Sequence, residues 1–568
     1  MMSYGEHKPT WWKEGVVYQI YPASFKDSNN DGLGDLPGIL SKIDYLKDLG
    51  IDIIWICPMY KSPQHDMGYD ISNYQEVHAP YGTVKDVEDI IEACHLRGMR
   101  LILDLVINHT SDEHPWFQES RSSKDNPKRD WYIWRPAKYS KDGQRMPPNN
   151  WASFFNGSAW EWDETTQEYY LHLFAKQQPD LNWESAEARK VFYQSSMEFW
   201  LEKGVDGFRV DCVNMYSKDT NFPDAPVINT GFVQPATQFF CNGPRIHEYL
   251  REVGSILNKY DAMSVGELPF TPDFKEVLRY VKNENKELSM VFQFDLVDLG
   301  HGEKIKFQFT EWKLSEFKKI IVEMQKFIEN TDGWTTVFCE NHDQGRATSR
   351  FASESPKWRD RSSKLLSLMT CAMTGTLFVY QGQEIGMINA PPEWTIEDYL
   401  DIESQNHYKT MIEKDPNCND QVMKSLQILA RDHGRLPMQW DDTINGGFST
   451  TKPWMRAHPC YSQINVAAQT TKASSVLNFW KKMIKLRKQY KDIFVYGSFE
   501  DYDLDNEKTF MFVKSKKAAI VLNFSPDEQK FQLPSAEKEW KFLIGNVDRV
   551  DENDDRLSGY EGRIYMAT

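Results

Sequence analysis

The chain has 568 residues, room for three or four domains of roughly 100–200 residues each, or for fewer if one is a large α/β barrel. Apolar residues make up 40% and charged residues 26%, which provides a sizeable core and excludes wholesale disorder. The 66 Lys and Arg face 83 Asp and Glu, a net charge of −17 that would repel a phosphate backbone, so nucleic acid is excluded as a partner.

In chain order, MMSYGEHKPTWWKEG contains no apolar run of the signal-peptide kind. Val16–Phe25 then reads as a strand. Pro37–Gly50 follows with Ile39, Ile43, Leu46 and Leu49 on one helical face. Ile51–Tyr60 is a second strand, and Thr83 is an N-cap for a helix carrying Val87, Ile90, Ile91 and Cys94. Arg100–Asn108 is the third strand. The alternation resumes at Val205–Asp211, Met263–Leu268, Val291–Leu296, Trp334–Asp343 and Thr376–Gln381, and a final helix is expected over Ser475–Lys491. Near-continuous apolar strands alternating with helices eight times predict an α/β fold of the (β/α)8 TIM-barrel type. A doubly wound sheet is the alternative, but no GxGxxG follows an early strand. Leu365–Tyr380 is interrupted by Ser367, Thr370, Thr374, Gly375 and Thr376. A bilayer span needs about 20 apolar residues, so this stretch is read as buried barrel and no membrane partner is expected.

Between the third and fourth strands about 75 residues, rich in Trp, Tyr, Asn and Pro, are too many for a loop and predict a small inserted domain. Val495–Tyr502, Thr509–Val513, Ala518–Asn523 and Lys530–Leu533 predict a C-terminal antiparallel β domain. The expected boundaries are 1–109 and 186–493 for the barrel, 110–185 for the insertion and 494–568 for the tail. Eight scattered cysteines, several in apolar runs, are read as buried free thiols, and the expected location is the cytoplasm.

Active sites of such barrels form at the C-terminal ends of the strands. Here those ends carry Asp104, Asn108 and His109, then Arg209 and Asp211, then Glu267, then Asn341, His342 and Asp343. Taken singly each is an ordinary capping or strand-end residue, but clustered carboxylates cost stability unless they are used. Glycosidic hydrolysis needs one protonated carboxyl to donate to the leaving oxygen and one ionised carboxylate to attack the anomeric carbon. Arg209, two residues before Asp211 on a strand, points to the same side and holds that carboxylate ionised. No HExxH or cysteine-rich zinc spacing is present, so a catalytic metal is not expected.

The segments DLVINH (Asp104–His109), GFRVD (Gly207–Asp211), VGEL around Glu267 and NHD (Asn341–Asp343) resemble the four signature regions of glycoside hydrolase family 13, the α-amylase family. GVVYQIYPASF is a further match. QPDLNW (Gln178–Trp183), HDMGYD (His65–Asp70) and RLPMQW (Arg435–Trp440) are similar to the oligo-1,6-glucosidase and yeast-type maltase–isomaltase branch. The resemblance implies Asp211 as nucleophile, Glu267 as general acid/base and Asp343 as transition-state stabiliser. It implies a glucose subsite formed by Asp66, Tyr69, His109, Arg209, His342 and Arg435, and an exo-acting, retaining α-glucosidase. Retention places the two catalytic carboxyls about 5–5.5 Å apart. Phe155, Phe174 and Trp183 are candidates for the pocket wall, with a plain core role as the alternative.

Asp27, Asn29, Asp31, Leu33 and Asp35 follow the opening of a calcium loop, although Gly38 replaces the closing Glu of an EF-hand. An Asp/Asn/Gly turn is the alternative; the resemblance favours a structural Ca2+. Cys212, directly after the expected nucleophile, is implied to look onto the aglycone subsite. There the branch carries Val with α-1,6 substrates and Thr or Ala with α-1,4 substrates, so Cys212 leaves linkage open; maltose-like α-1,4 bonds are the expected target, with α-1,6 bonds and sucrose as further substrates and an oligo-1,6-glucosidase (isomaltase) as the alternative. Leu268-Pro269 after the expected acid also departs from the branch. Small oligosaccharides of the maltose, isomaltose and sucrose class are the expected partners of a monomer. A transglucosylase or sucrose isomerase is the alternative on the same scaffold. A non-catalytic transporter subunit would lack the three carboxylates that are present.

Overall fold

A computed structural model describes residues 10–302, 306–535, 539–548 and 554–568. Its centre is a ring of eight parallel strands: β1 (Val16–Ile20), β2 (Ile53–Ile56), β3 (Arg100–Leu105), β4 (Gly207–Val210), β5 (Met263–Leu268), β6 (Met290–Gln293), β7 (Thr336–Val337) and β8 (Thr376–Tyr380). The pairing order is β6-β5-β4-β3-β2-β1-β8-β7, a barrel closed everywhere but between β6 and β7. At that seam the Thr336 hydroxyl donates to the Val291 carbonyl at 3.0 Å, so a side chain stands in for the missing ladder. The strand residues of β1, β2, β4 and β8 are buried throughout, as expected where helices cover the outside and packed side chains fill the inside.

Gly207, which opens β4, lies at φ +154°, where a Cβ would come within 2.2 Å of the Met263 carbonyl oxygen. The close β4–β5 contact therefore requires glycine at that point of GFRVD. Thr83 caps the helix Val84–Leu96 in a capping box with Asp86, and Val87, Ile90, Ile91 and Cys94 are its buried face. Ser475 likewise caps Val476–Gln489.

Several expected elements are shorter or divided. The first strand ends at Ile20 because Pro22 starts a helical turn, Pro22–Phe25. The second ends at Ile56, and Tyr60–Lys61 pairs instead with Asn73–Val77 in a separate hairpin. The expected helix 37–50 is two helices, Leu36–Leu40 and Ile43–Leu49. The seventh strand shrinks to Thr336–Val337, and the chain runs on without a ladder to Asp343.

The segment after β3 builds a three-stranded antiparallel sheet with Glu168–Leu171 in the middle. Trp151, Trp160 and Leu171 pack in one apolar cluster with Cys212, Met215, Phe222 and Phe240 of the loop after β4. The tail forms a five-stranded antiparallel sheet from β9 (Phe499–Tyr502), β10 (Thr509–Lys514), β11 (Ala518–Asn523), β12 (Trp540–Gly545) and β13 (Gly562–Ala567), in the order β9-β10-β11-β13-β12. Residues 495–498 are not strand, because a helical turn runs to Phe494 with Val495 as its cap. Of the expected fourth strand, Lys530–Leu533, only Lys530 pairs, as part of Gln529–Lys530 against Arg556–Leu557, and β12 and β13 lie beyond the expected strands. All eight cysteines are free thiols, seven of them buried. Among the described residues no helix is long and apolar enough to cross a membrane.

Candidate active site

Strand register assembles the site. Arg209 on β4 lies opposite Asp104 on β3, and Val210 pairs with Gly266, which brings the next residues, Asp211 and Glu267, to the mouth side by side. The buried Arg209 guanidinium holds all three carboxylates. Nη1 donates to Asp104 Oδ1 at 2.7 Å and to Asp211 Oδ1 at 2.5 Å, and Nη2 lies 2.9 Å from Glu267 Oε1. Asp104 also accepts from the Trp55 indole at 2.7 Å, which fixes the strand-side edge of this hub. An oxygen of Asp211 and an oxygen of Glu267 lie within 4.8 Å of each other.

The expected subsite residues converge on the same mouth. The His342 ring stacks on Tyr69 at 5.5 Å between centroids, and its Nε2 is 2.6 Å from the Tyr69 hydroxyl and 3.1 Å from Asp343 Oδ2. Its Nδ1 faces the Gln19 amide nitrogen at 2.8 Å, so the neutral ring carries its proton on Nε2, toward Tyr69 and Asp343. His109 Nε2 donates to the Tyr69 carbonyl at 3.1 Å. Asp66 accepts from the Gln178 amide at 3.0 Å.

Arg435 donates to Asp343 Oδ1 at 2.9 Å and to Asp401 Oδ2 at 2.7 Å. Arg431, which the sequence reading missed, completes the wall. It reaches Asp343 at 3.2 Å, Asp401 at 2.7 Å and Asp66 at 3.5 Å. Its signal was available: Arg431 stands four residues before Arg435, on the same short helical turn, Arg431–Arg435. Asp401 had no local signal, since nothing in its own segment marks it as the partner of two arginines.

The segment after β3 contributes Gln178 and two aromatic rings. Phe174 lies 5.2 Å from the His109 ring, and Phe155 lies 5.4 Å from the Arg431 guanidinium. Trp183 is core instead: it stacks on Tyr216 at 4.2 Å and donates to the Ile107 carbonyl. Cys212 has a left-handed backbone, φ 42° and ψ 42°. That turn aims both its N–H, at 3.2 Å, and its thiol, at 3.6 Å, at Glu267 Oε2.

These surroundings separate the carboxyls. Burial, with the charges of Asp211 and Asp343, pushes Glu267 up to about 7 against the pull of Arg209. Burial also raises Asp211, opposed by Arg209 at hydrogen-bond distance, so both carboxyls of the pair lie above their ordinary range. For Asp343 the burial cost is outweighed by His342, Arg431, Arg435 and Arg209, which hold it well below the usual carboxylate range. Burial lowers His342 to about 3 and His109 to about 4, leaving both rings neutral at pH 7.

Asp27, Asn29, Asp31, Leu33 and Asp35 lie in the loop between the turn Pro22–Phe25 and the helix Leu36–Leu40. Asp27 accepts from the N–H groups of Asn29, Asn30 and Gly32, Asn29 from Asp31, and Asp31 from Leu33, while Asp35 caps the helix through Gly38. Gly32, at φ +94°, packs so close to the Lys452 carbonyl that a Cβ would sit 2.3 Å from it. The carboxylates of Asp27, Asp31 and Asp35, the Asn29 amide oxygen and the Leu33 carbonyl would offer oxygen donors only, the chemistry that Ca2+ takes. Asp27, Asp31 and Asp35 are not, however, gathered as tightly as Asp211, Cys212 and Glu267.

Two adjacent buried carboxyls sharing one guanidinium at the C-terminal mouth of a (β/α)8 barrel are the arrangement that glycosidic hydrolysis uses. Residues 19–497 match the model of the α-amylase catalytic domain, and the chain belongs to the α-amylase family, glycoside hydrolase family 13. It is 50% identical to an α-glucosidase of Candida albicans, with 99% of each chain covered. It is 48% identical to an oligo-1,6-glucosidase of Saccharomyces cerevisiae, again over 99% of each. Among solved structures it is similar to an isomaltulose synthase of Erwinia rhapontici bound to sucrose, with a TM-score of 0.92, 39% identity and coverage of 98% and 99%.

Proposed function

We propose that the protein is an exo-acting, retaining α-glucosidase that releases glucose from the non-reducing end of short α-glucosides. The observation that carries this is the pair Asp211–Glu267. One oxygen of each lies within 4.8 Å of one oxygen of the other, with both carboxylates held on one guanidinium, a proximity that supports direct attack by one carboxylate beside the proton donor, as in a retaining enzyme. Glu267 donates its proton to the glycosidic oxygen as Asp211, kept ionised by Arg209, attacks the anomeric carbon. Glu267 then takes a proton from the water that releases glucose. Asp343, held by His342, Arg431 and Arg435, binds sugar hydroxyls and faces the developing positive charge. Asp66, Tyr69, His109 and Arg435, with Arg431 and Gln178, enclose the terminal glucose, and this closed wall supports action at chain ends.

Proton NMR of the first turnover on 4-nitrophenyl α-glucoside, whose leaving group is not a sugar, tests the reading. Initial release of α-glucose is expected, whereas β-glucose would remove Asp211 as nucleophile. The fold's likeness to isomaltulose synthases favours one second reading, transfer of the glucosyl group to sugar. Chromatography of sucrose digests separates the two: glucose with fructose supports hydrolysis, and isomaltulose supports transfer. Turnover of maltose against isomaltose assigns the linkage that Cys212 leaves open. We read the loop Asp27–Asp35 as a structural Ca2+ site. Chelation should lower the melting temperature with little change in KM, and an unchanged melting temperature would favour the plain turn. The same reading takes the protein as a cytoplasmic monomer, which fractionation and light scattering test.

A further inference from the structure

We infer that Asp211, Cys212 and Glu267 form a binding site for a thiophilic divalent cation of the zinc type, and that occupancy of this site blocks the pocket. One ligand atom from each of the three lies within 4.8 Å of the other two. The Cys212 Sγ to Glu267 Oε2 separation is 3.6 Å. A tetrahedral zinc with Zn–S of about 2.3 Å and Zn–O of about 2.0 Å places sulfur and oxygen about 3.5 Å apart, so these two atoms already span one edge of a zinc polyhedron.

The carboxylates present the right atoms. Arg209 occupies Oδ1 of Asp211 and Oε1 of Glu267, while the thiol stands beside the other oxygen of Glu267. Asp104, Asp211 and Glu267 share that single guanidinium, which leaves the cluster with negative charge in excess. The left-handed turn at Cys212 fixes the thiol on this side, and its packing with Met215, Trp151 and Phe240 holds it there. A thiolate selects zinc or cadmium over calcium or magnesium, and binding releases the thiol proton, together with the proton that Glu267 carries as general acid, to solvent. The ion would occupy the space between nucleophile and acid, with solvent as a further ligand.

That zinc competes with sugar rests on the reading of Asp211 and Glu267 as the hydrolytic pair; that it binds does not. The test is titration of the full-length protein with Zn2+ and, in parallel, with Cd2+, whose thiolate complex absorbs in the ultraviolet. Zn2+ should inhibit competitively with maltose. Cys212→Ser should raise the half-inhibiting Zn2+ concentration at least tenfold relative to that variant's own activity, and Cys460→Ser, at the one partly exposed cysteine, should not. Cd2+ should give one equivalent of the thiolate band in the wild type, displaced by glucose. Equal Zn2+ sensitivity of wild type and Cys212→Ser, loss of sensitivity in Cys460→Ser, or no band with Cd2+ would each overturn the site. A one-equivalent band with non-competitive inhibition would keep the ion site and remove the hydrolytic reading. Should Cys212→Ser not fold, the cadmium titration of the wild type decides.

Discussion

The two ends of the barrel bury cations to opposite purposes. At the mouth, Arg209, Arg431 and Arg435 bind carboxylates that outnumber them: Asp104, Asp211, Glu267, Asp343 and Asp401. At the other end, buried cations hold main-chain carbonyls. Arg487 donates to Cys371, Met373 and Phe494 at 3.0, 2.6 and 3.3 Å and also to Gly375. Lys514 on β10 donates to Gly497 at 2.7 Å. Burial lowers the Arg487 guanidinium to about 10 and Lys514 well below its ordinary value. The carbonyl cradle satisfies donors and joins tail to barrel, whereas the mouth keeps like charges together and thereby tunes proton affinity. One end is built for cohesion and the other for chemistry.

Substitutions at each end should therefore separate rate from stability. Asp211→Ala should lower kcat by about 10⁴-fold or more with a near-wild-type melting temperature. Activity within tenfold of wild type would take Asp211 out of the chemistry. Arg487→Met should cost about 3 kcal/mol or more of stability, because several buried carbonyls lose their donor, and leave KM unchanged. A changed KM with unchanged denaturant midpoint would break the contrast.

Glu267 should show both kinds of effect. Wild-type kcat/KM should fall as pH rises past about 7, where the acid loses its proton, and Glu267→Gln should lose that limb along with most of the rate. Its pKa is raised on folding, from 4.5 to about 7. The associated stability is thus complete below the unfolded value and lost as pH rises through the folded one. Glu267→Gln should remove that loss and melt higher than wild type at pH 8; an equal or lower melting temperature would argue against a costly buried carboxylate. The smallest effect is expected from Cys212→Val against Cys212→Thr, a shift in the isomaltose-to-maltose rate ratio within tenfold. Identical ratios would remove the side chain from linkage choice.

The barrel was legible because fully buried strands read as apolar runs, and the helix at Thr83 because its cap and apolar face are both local. Strand ends were less legible. Proline at position 22 stops a ladder in a way that hydrophobicity alone does not report. β12, with a largely half-buried pattern, lacks the near-continuous buried run of β10 and β11. In the site, residues carried by strand ends announced themselves through the family motifs. Arg431 and Asp401 come from the long segment after β8 and find their partners only through the tertiary fold. The left-handed turn that points Cys212 at Glu267 was equally invisible, since a cysteine carries no mark of positive φ.

The ring of strands is, finally, a split ring. Thr336 and Val337 are paired to β8 on one side, while toward β6 a single hydroxyl reaches across. Hydrogen exchange should consequently begin at this seam. Opening there releases one side-chain bond, whereas opening any other interface breaks a ladder, and the amides of β3 and β4 in the closed part of the ring should be the last to lose protection.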